Sequence, residues 1–123
     1  MDKKILVVDD SRFMRTIITN ILKSYDMTNI EYASNGLEAI EKYKNDKYTF
    51  VTMDITMDKM NGLDALKEIK KIDPDARVIM VSAMGQKSLI MEAIKYGALD
   101  FVIKPFDKRT IEDAMSKLKN IKQ

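Results

Sequence analysis

The chain has 123 residues, with 21 Lys and Arg against 19 Asp and Glu, and it contains no His, Cys or Trp. The length fits one domain, and the missing residues exclude disulfides, thiolate nucleophiles, Ser-His triads and zinc fingers. A net charge of only +2 does not favour a nucleic-acid-binding protein.

The N-terminal segment and the hydropathy of the chain suggest a location. Four apolar residues precede Asp9 and Asp10, which is too few for the core of a signal peptide. No stretch approaches the ~18 apolar residues of a membrane span. We therefore expect a cytoplasmic protein that does not act at a membrane.

The first half of the chain alternates between apolar runs of strand length and segments of helical periodicity. The runs at residues 5–8, 30–33 and 50–53 predict three strands. Apolar side chains recur at helical spacing between Met14 and Tyr25, which predicts the first helix, and between Leu37 and Tyr43, which predicts the second. Asn35 followed by Glu38 is typical of a capping box at the start of the second helix.

The second half repeats this alternation. Apolar periodicity over residues 63–72 predicts a third helix that ends near Pro74. Residues 78–81 predict a fourth strand, and residues 90–94 lie on a fourth helix that Gly97 closes. Residues 101–103 predict a fifth strand, and residues 111–121 a last helix with Asp107 as its N-cap.

Five strand–helix units in series indicate an α/β fold. The strands are continuous apolar runs, as expected for a parallel sheet that is buried on both faces. Right-handed crossovers then place helices on both faces. The sequence thus predicts a doubly wound, flavodoxin-like parallel sheet with strand order 2-1-3-4-5.

Polar residues stand at the carboxyl ends of four predicted strands. Strand 1 ends in Asp9 and Asp10, strand 3 in Asp54, strand 4 in Ser82 and strand 5 in Lys104. In a parallel sheet these ends share one edge, and in the order 2-1-3-4-5 strands 1 and 3 flank the crevice where ligands bind. We therefore expect the three carboxylates to meet there, with Ser82 and Lys104 beside them.

This grouping of carboxylates predicts a cation site and a nucleophile. Three carboxylates a few ångströms apart repel one another strongly, and a hard divalent cation such as Mg²⁺ relieves that repulsion with oxygen ligands alone. Lys104 and Ser82 are suited to contact a phosphoryl group. Asp54 is the candidate nucleophile, since a carboxylate is ionised at pH 7 and phosphoryl transfer requires mainly positioning and charge neutralisation.

Each of these residues also has an ordinary structural interpretation. Asp10 fits a helix N-cap, and Asp9 fits a loop. Ser82 fits a turn, and Lys104 fits a surface charge. The functional interpretation depends on five residues of suitable chemistry at four strand ends, and no single residue carries it.

The sequence resembles the receiver domain of two-component response regulators over essentially its whole length. The segments that carry the resemblance are ILVVDDS, MDITMDKMNG, VSAMG and FVIKPF. Among receivers it is most similar to the single-domain chemotaxis regulators of the CheY type, because no output domain follows the fifth helix. The resemblance therefore implies one receiver domain over residues 1–123, with the CheY-like fold.

The resemblance also implies a role for each residue at the strand ends. Asp54 matches the phosphorylation site, and Asp9, Asp10 and Asp54 match the ligands of Mg²⁺, for which Mn²⁺ can substitute. Thr56 matches the position whose backbone carbonyl completes the metal site.

Further residues match the phosphoryl contacts and the switch of the family. Ser82 and Lys104 match the side chains that contact the phosphoryl group. Ser82 and Phe101 match the switch pair, in which the aromatic ring turns inward when the hydroxyl moves toward the phosphate. A cis Lys104–Pro105 bond is expected as well.

The implied function is that of a phosphorylation-controlled switch in a two-component chemotaxis system. A CheA-type histidine kinase donates the phosphoryl group, and a motor switch or motor-adaptor protein reads it, which controls motility. We expect a monomer that is no enzyme apart from self-phosphorylation and autodephosphorylation at Asp54. The expected partner surface, for which an ordinary solvated face is an equal alternative, consists of Gln86, Lys87, Lys95, Tyr96, Lys108 and Arg109.

Three positions depart from the family pattern, the mildest being Ser82, which replaces Thr and keeps the hydroxyl. Asp58 stands where the acceptor loop commonly has Pro, which removes a fixed φ and adds a carboxylate near the metal. We expect a more mobile loop there. Phe101 replaces the Tyr of the best-known CheY proteins, so that no phenolic hydroxyl is available to partners.

Other functions remain open. A stand-alone receiver also fits a phosphate sink, a non-chemotactic phosphorelay or a degenerate receiver, although the intact constellation argues against the last. A Mg²⁺-dependent phosphatase of the haloacid dehalogenase type requires a second Asp two residues after the nucleophile, where this chain has Thr56. A flavin- or nucleotide-binding domain requires a Gly-rich loop after strand 1, which is missing.

Overall fold

Strands and helices alternate along the whole described part of the chain, which in this computed structural model comprises residues 4–57 and 59–119. The strands are β1 (Lys4–Val8), β2 (Asn29–Ala33), β3 (Phe50–Met53), β4 (Val78–Ser82) and β5 (Asp100–Ile103). The helices are α1 (Arg12–Lys23), α2 (Gly36–Asn45), α3 (Gly62–Ile72), α4 (Lys87–Lys95) and α5 (Lys108–Lys119). The five predicted strand–helix units are confirmed.

The five strands form one parallel sheet in the order β2-β1-β3-β4-β5. The predicted fold class and strand order are therefore confirmed. Val8, the last residue of β1, pairs with Met53, the last residue of β3, and Ser82 pairs with Ile103 at the ends of β4 and β5. Because these strands end in register, the residues that follow them come out at one edge of the sheet.

Both faces of the sheet are buried, since the strand residues alternate between two apolar clusters. Leu6 and Val8 belong to the cluster that contains buried residues of α2, α3 and α4. Ile5 and Val7 belong to the cluster that contains buried residues of α1 and α5. The sheet is thus the middle layer of three, and its apolar strands need no polar face.

Polar side chains cap most of the helices. The Ser11 hydroxyl accepts the Met14 N–H (3.2 Å) at the start of α1, and the predicted Asp107 cap of α5 accepts the Thr110 N–H (2.9 Å). Asn35 caps α2 by accepting the Glu38 N–H (2.9 Å). The Glu38 carboxylate, however, accepts the N–H of Ser34 (2.8 Å), one residue before the cap, which differs from the ideal capping box.

The ends of the helices agree with the predictions to within a few residues. Helix α1 ends at Lys23, two residues before Tyr25, and Asp26 in the following turn has a φ of +64°. After α4, Gly97 adopts a φ of +100°, a conformation that glycine accommodates without strain. Ile121 of the predicted last helix lies outside the described residues.

The Lys104–Pro105 peptide bond is cis, as predicted. Among the described residues, no helix combines the length and the apolar character that crossing a bilayer requires.

Candidate functional site

Three carboxylates converge at the carboxyl edge of the sheet. β1 and β3 are neighbours in register, and the Asp54 N–H donates to the carbonyl of Val8 (2.9 Å), which continues the ladder beyond the strands. Asp9, Asp10 and Asp54 each offer a carboxylate oxygen within 4.8 Å of the others. Asp9 and Asp54 are buried, whereas Asp10 is exposed. The predicted juxtaposition of these carboxylates is therefore present.

Asp9 is held by four hydrogen-bonding groups. Its Oδ1 accepts the backbone N–H of Ser11 (2.9 Å), and its Oδ2 lies 2.9 Å from the Nζ of Lys104. Its backbone N–H donates to Ala33, and its carbonyl accepts a hydrogen bond from Nη1 of Arg15 (2.6 Å). Asp9 is thus a fixed part of the site, and Arg15 is a contributor that the sequence analysis did not identify.

Lys104 directly follows β5, and its ammonium group lies next to the carboxylates. Its Nζ lies 2.9 Å from Oδ2 of Asp9 and 3.6 Å from Oδ1 of Asp54. Its backbone N–H donates to the carbonyl of Ser82 (2.8 Å), which ties it to the end of β4. One ammonium group therefore faces three carboxylates, and a net negative charge remains.

Asp54 combines burial with a fixed orientation. Its side chain is nearly inaccessible, since the residue is 6% exposed, and its Oδ1 accepts the N–H of Ile55 (2.9 Å). Burial raises the pKa of Asp54 to about 6. The positive charge of Lys104 and the hydrogen bond from the Ile55 N–H lower this pKa, but only in part, and the negative charges of Asp9 and Asp10 raise it further. At neutral pH the carboxylate is nevertheless mostly ionised.

A close backbone approach supports the acceptor loop. The N–H of Gly62 donates to the carbonyl of Ile55 (2.8 Å). A Cβ at Gly62 would lie 2.0 Å from the backbone oxygen of Asp54, so that no other residue fits without moving the loop. Gly62 ends the MDITMDKMNG segment, but nothing in its spacing indicated this role.

The carboxylate cluster fits a divalent cation of the Mg²⁺ type. The donor set consists of carboxylate oxygens, with no nitrogen or sulfur, which is what hard cations prefer. The net negative charge also favours a cation. The role predicted for the backbone carbonyl of Thr56 stays a prediction, and Asp58 lies outside the described residues.

The predicted switch residues lie on β4 and β5. Ser82 is buried at the end of β4, where its Oγ accepts the N–H of Met84 (3.1 Å). Phe101 is half-buried on β5, next to Met80 of β4. Its ring packs on the cluster between the sheet and helices α2 to α4, as does Tyr96. The two residues thus occupy neighbouring strands, and their movement stays a prediction.

One contact across the carboxyl edge of the sheet was not predicted from the sequence. The hydroxyl of Thr56 donates a hydrogen bond to the Sδ of Met84 (3.2 Å). Thr56 lies two residues after Asp54 and Met84 two residues after Ser82, so the contact links the segments that follow β3 and β4. Both residues are exposed. No local pattern predicts it, because it joins residues 28 positions apart.

The residues of the expected partner surface lie around α4 and at the start of α5. Tyr96 is half-buried, with the Nζ of Lys67 4.3 Å from its ring centroid, and the side chain of Lys108 lies outside the described residues. The remaining four are exposed: Gln86, Lys87, Lys95 and Arg109. Exposed apolar side chains lie nearby: Met91 and Ile94 on α4, and Ile103 at the end of β5.

Comparison with known sequences finds that this chain is similar to receiver domains and to CheY proteins. The model of the response regulator receiver domain matches residues 5–116. The chemotaxis protein CheY of Thermotoga maritima is 50% identical over 118 residues, which cover 96% of this chain and 98% of that protein. The chemotaxis protein CheY of Bacillus subtilis is 49% identical over 120 residues, covering 98% of this chain and 100% of that protein.

Solved structures show the same fold. A CheX–CheY complex from Borrelia burgdorferi with BeF3 and Mg²⁺ contains a chain that superimposes with a TM-score of 0.91 at 38% identity, covering 98% of this chain and 90% of that one. The response regulator domain of Thermotoga maritima CheB gives a TM-score of 0.82 at 34% identity, covering 99% of this chain and 100% of that one.

Proposed function

This chain belongs to the response regulator receiver domain family and is a chemotaxis response regulator of the CheY type, and from this premise we propose that Asp54 is its phospho-acceptor. The observation that carries the proposal is the grouping of Asp54 with Asp9, Asp10 and Lys104 at one edge of the sheet. Proteins of this kind are signalling switches, so Asp54 is modified and no external substrate is turned over.

The residues of the site are suited to receive a phosphoryl group from a phosphohistidine. An oxygen of Asp54 forms a bond to phosphorus as the bond from phosphorus to the imidazole nitrogen breaks, and the imidazole leaves with a proton. The Ile55 N–H fixes the orientation of the Asp54 carboxylate (2.9 Å). No general base is required, because the nucleophile is already ionised at neutral pH.

Lys104 supplies positive charge beside the reacting group, and the acidic residues would hold a cation that supplies more. Asp9, Asp10 and Asp54 would hold Mg²⁺, with Mn²⁺ as a substitute, and the backbone carbonyl of Thr56 would complete the set. When bound, this ion neutralises charge on the phosphoryl oxygens. Lys104 lies 3.6 Å from Asp54 and is placed to pair with a phosphoryl oxygen once the group is attached.

Ser82 and Phe101 form the proposed switch. The Ser82 hydroxyl accepts a hydrogen bond from the Met84 N–H (3.1 Å) and keeps its own proton free to donate. A phosphoryl group on Asp54 would attract that donor and shift the population of Phe101 toward an inward position. A coupling free energy of ~1–3 kcal/mol between the phosphoryl site and a partner surface is sufficient for a switch.

The proposed partners are a CheA-type histidine kinase as donor and a motor switch or motor-adaptor protein as target. The relatives are chemotaxis proteins, and one similar chain is in complex with CheX. The proposed contact surface includes Gln86, Lys87, Lys95, Tyr96 and Arg109, together with Lys108. A monomeric receiver domain that acts in the cytoplasm is part of the same proposal.

Intact-mass measurement tests the phospho-acceptor directly. The chain is incubated with Mg²⁺ and a small acyl phosphate, and we expect one base-labile phosphoryl adduct. Asp54→Asn should lose the adduct completely, whereas Asp113→Asn, at an exposed Asp of α5, should keep it. An adduct retained in Asp54→Asn would refute the proposal, and so would turnover of many phosphate esters.

A phosphorylated CheA-type kinase tests the partner part of the proposal. We expect the kinase to lose its phosphate to wild-type chain and not to Asp54→Asn. A motor-derived target should then bind more tightly to the chain with beryllofluoride and Mg²⁺ than to the chain alone. Transfer without any change in target binding would instead favour a phosphate sink.

A further inference from the structure

Two of the described methionines are exposed, and one of them contacts the segment that follows Asp54. Met84 is 42% exposed and Met91 is 61% exposed, while Met53, Met80 and Met115 are buried. Exposure governs how readily a thioether is oxidised. An oxidant in solution therefore reaches Met84 and Met91 before it reaches the methionines of the core.

The surroundings of the Met84 sulfur distinguish it from that of Met91. Sδ of Met84 accepts a hydrogen bond from Thr56 Oγ1 (3.2 Å), and the Met84 N–H donates to Ser82 Oγ (3.1 Å). Met91 lies in the middle of α4, and within the described residues its sulfur has no hydrogen bond. A chemical change at Met84 therefore affects the segment that follows Asp54 and the end of β4 at Ser82.

We propose that Met84 is a site of reversible oxidation to the sulfoxide, which prolongs the life of the phosphoryl group on Asp54. The oxidant is a peroxide. A lone pair of the sulfur attacks one oxygen of the peroxide, and the S–O bond forms as the O–O bond breaks. The proton on that oxygen moves to the second oxygen, which leaves as water when the oxidant is hydrogen peroxide. Sulfur loses two electrons and the peroxide gains them.

The expected consequence follows from hydrogen-bond strength. A thioether is a weak acceptor, whereas the sulfoxide is a polar group with an oxygen acceptor. The hydroxyl of Thr56 gains a stronger partner across the edge of the sheet. The bridge between the two segments becomes tighter, and attack of water on the aspartyl phosphate becomes slower.

The proposal rests on the proposed function, so the experiment measures oxidation and phosphate lifetime separately. Wild type, Met84→Leu and Met91→Leu are treated with graded hydrogen peroxide, and peptide mass mapping locates each added oxygen. Each protein is then phosphorylated with an acyl phosphate and Mg²⁺, and decay of the adduct is followed by intact mass. We expect Met84 and Met91 to gain oxygen before the buried methionines.

Oxidation should lengthen the half-life of the adduct by about two- to tenfold in wild type and Met91→Leu, the factor that one hydrogen bond of ordinary net strength supplies. Met84→Leu should show no change, and in Thr56→Val the ratio of oxidised to untreated half-life should fall toward one. Methionine sulfoxide reductase should restore the original half-life.

Each other outcome has a defined meaning. An unoxidised Met84, an unchanged half-life after its oxidation, or an effect that persists in Met84→Leu would overturn the proposal and leave the phospho-acceptor intact. Absence of an adduct in untreated wild type would contradict the proposed function and this inference with it.

Discussion

Two groups of charged side chains stand at opposite ends of β1. At its carboxyl end, Lys104 faces Asp9, Asp10 and Asp54 (the carboxyl-edge cluster). At its amino end, Lys4 forms salt bridges with Glu31 (3.2 Å) and Asp46, and the Tyr48 hydroxyl donates to Glu31 (2.6 Å) (the amino-edge cluster). Each contains one Lys, with three carboxylates at the carboxyl edge and two at the amino edge.

The two clusters differ in burial and in charge balance, and the pKa shifts have opposite signs. Burial raises the pKa of Asp54 to about 6. In contrast, the hydrogen bond from Tyr48, together with Lys4, lowers the pKa of Glu31, and the hydrogen bond from Lys4 lowers the pKa of Asp46. In the amino-edge cluster each carboxylate is at least partly exposed and has a hydrogen-bonding or ionic partner. The carboxyl-edge cluster holds a larger and more buried excess of negative charge, which a cation can neutralise.

Removing the Lys of each cluster should give the largest contrast. We expect Lys104→Ala to slow phosphorylation by an acyl phosphate by roughly 100-fold, as for loss of one preorganised donor to a developing charge. Lys4→Ala should leave the rate unchanged, because Lys4 lies at the other end of the strand. The measurement is the initial rate of adduct formation by intact mass, with circular dichroism as the test of folding. Equal rates in wild type and Lys104→Ala would contradict the assignment of Lys104.

Removing one carboxylate from each cluster should change stability in opposite directions. In chelator, Asp54→Ala should raise the free energy of unfolding by roughly 1–2 kcal/mol, since it relieves repulsion between buried like charges. Glu31→Ala should lower it, because Lys4 and Tyr48 each lose a partner. Urea unfolding measures both variants.

Mg²⁺ provides the control for this stability comparison. At ~100 times the dissociation constant, it should stabilise wild type and Glu31→Ala by about 2.7 kcal/mol, and Asp54→Ala by much less. Destabilisation by Asp54→Ala in chelator, or stabilisation of all three proteins by Mg²⁺ alike, would show that the carboxyl-edge cluster has no unbalanced charge.

The pH dependence of the amino-edge cluster should give the smallest effect. The folded-state pKa of Glu31 lies below its ordinary value of 4.5, so its stabilising contribution is present above pH 4.5 and is lost as the pH falls through the folded-state value. The difference in unfolding free energy between wild type and Glu31→Gln should therefore shrink below pH 4.5. A difference that is constant between pH 7 and pH 3 would exclude this linkage. The change in unfolding free energy is small because Lys4 and Glu31 are partly exposed to solvent.

Several features of the fold and site could be predicted from local patterns. The apolar run before Asp9 and the run before Asp54 each end at a carboxylate, and both strands lie in the confirmed parallel order. Helical periodicity identified α3 from Leu63 to Ile72 almost to the residue. These predictions succeed because strand and helix periods are properties of the backbone.

Other features depend on contacts between distant parts of the chain. Lys104 was expected beside a phosphoryl group, and in this structure the closer ion pair of its ammonium group is with Asp9, 95 positions away. The bond from Arg15 to the carbonyl of Asp9 and the contact between Thr56 and Met84 were not predicted. Such contacts depend on side-chain rotamers and loop geometry, which the hydrophobic pattern does not specify.

The sequence by itself determined that carboxylates and a lysine follow the buried strands, because apolar runs and their polar ends are local features of the chain. Only the tertiary structure decided which charges are balanced. Lys4 and Lys104 are each a lysine near acidic residues, but the register of the sheet gives Lys4 exposed partners and gives Lys104 a buried excess of carboxylates. A lysine and carboxylates form partly exposed salt bridges at the amino edge, whereas at the carboxyl edge the same types of side chain are more buried and leave residual negative charge.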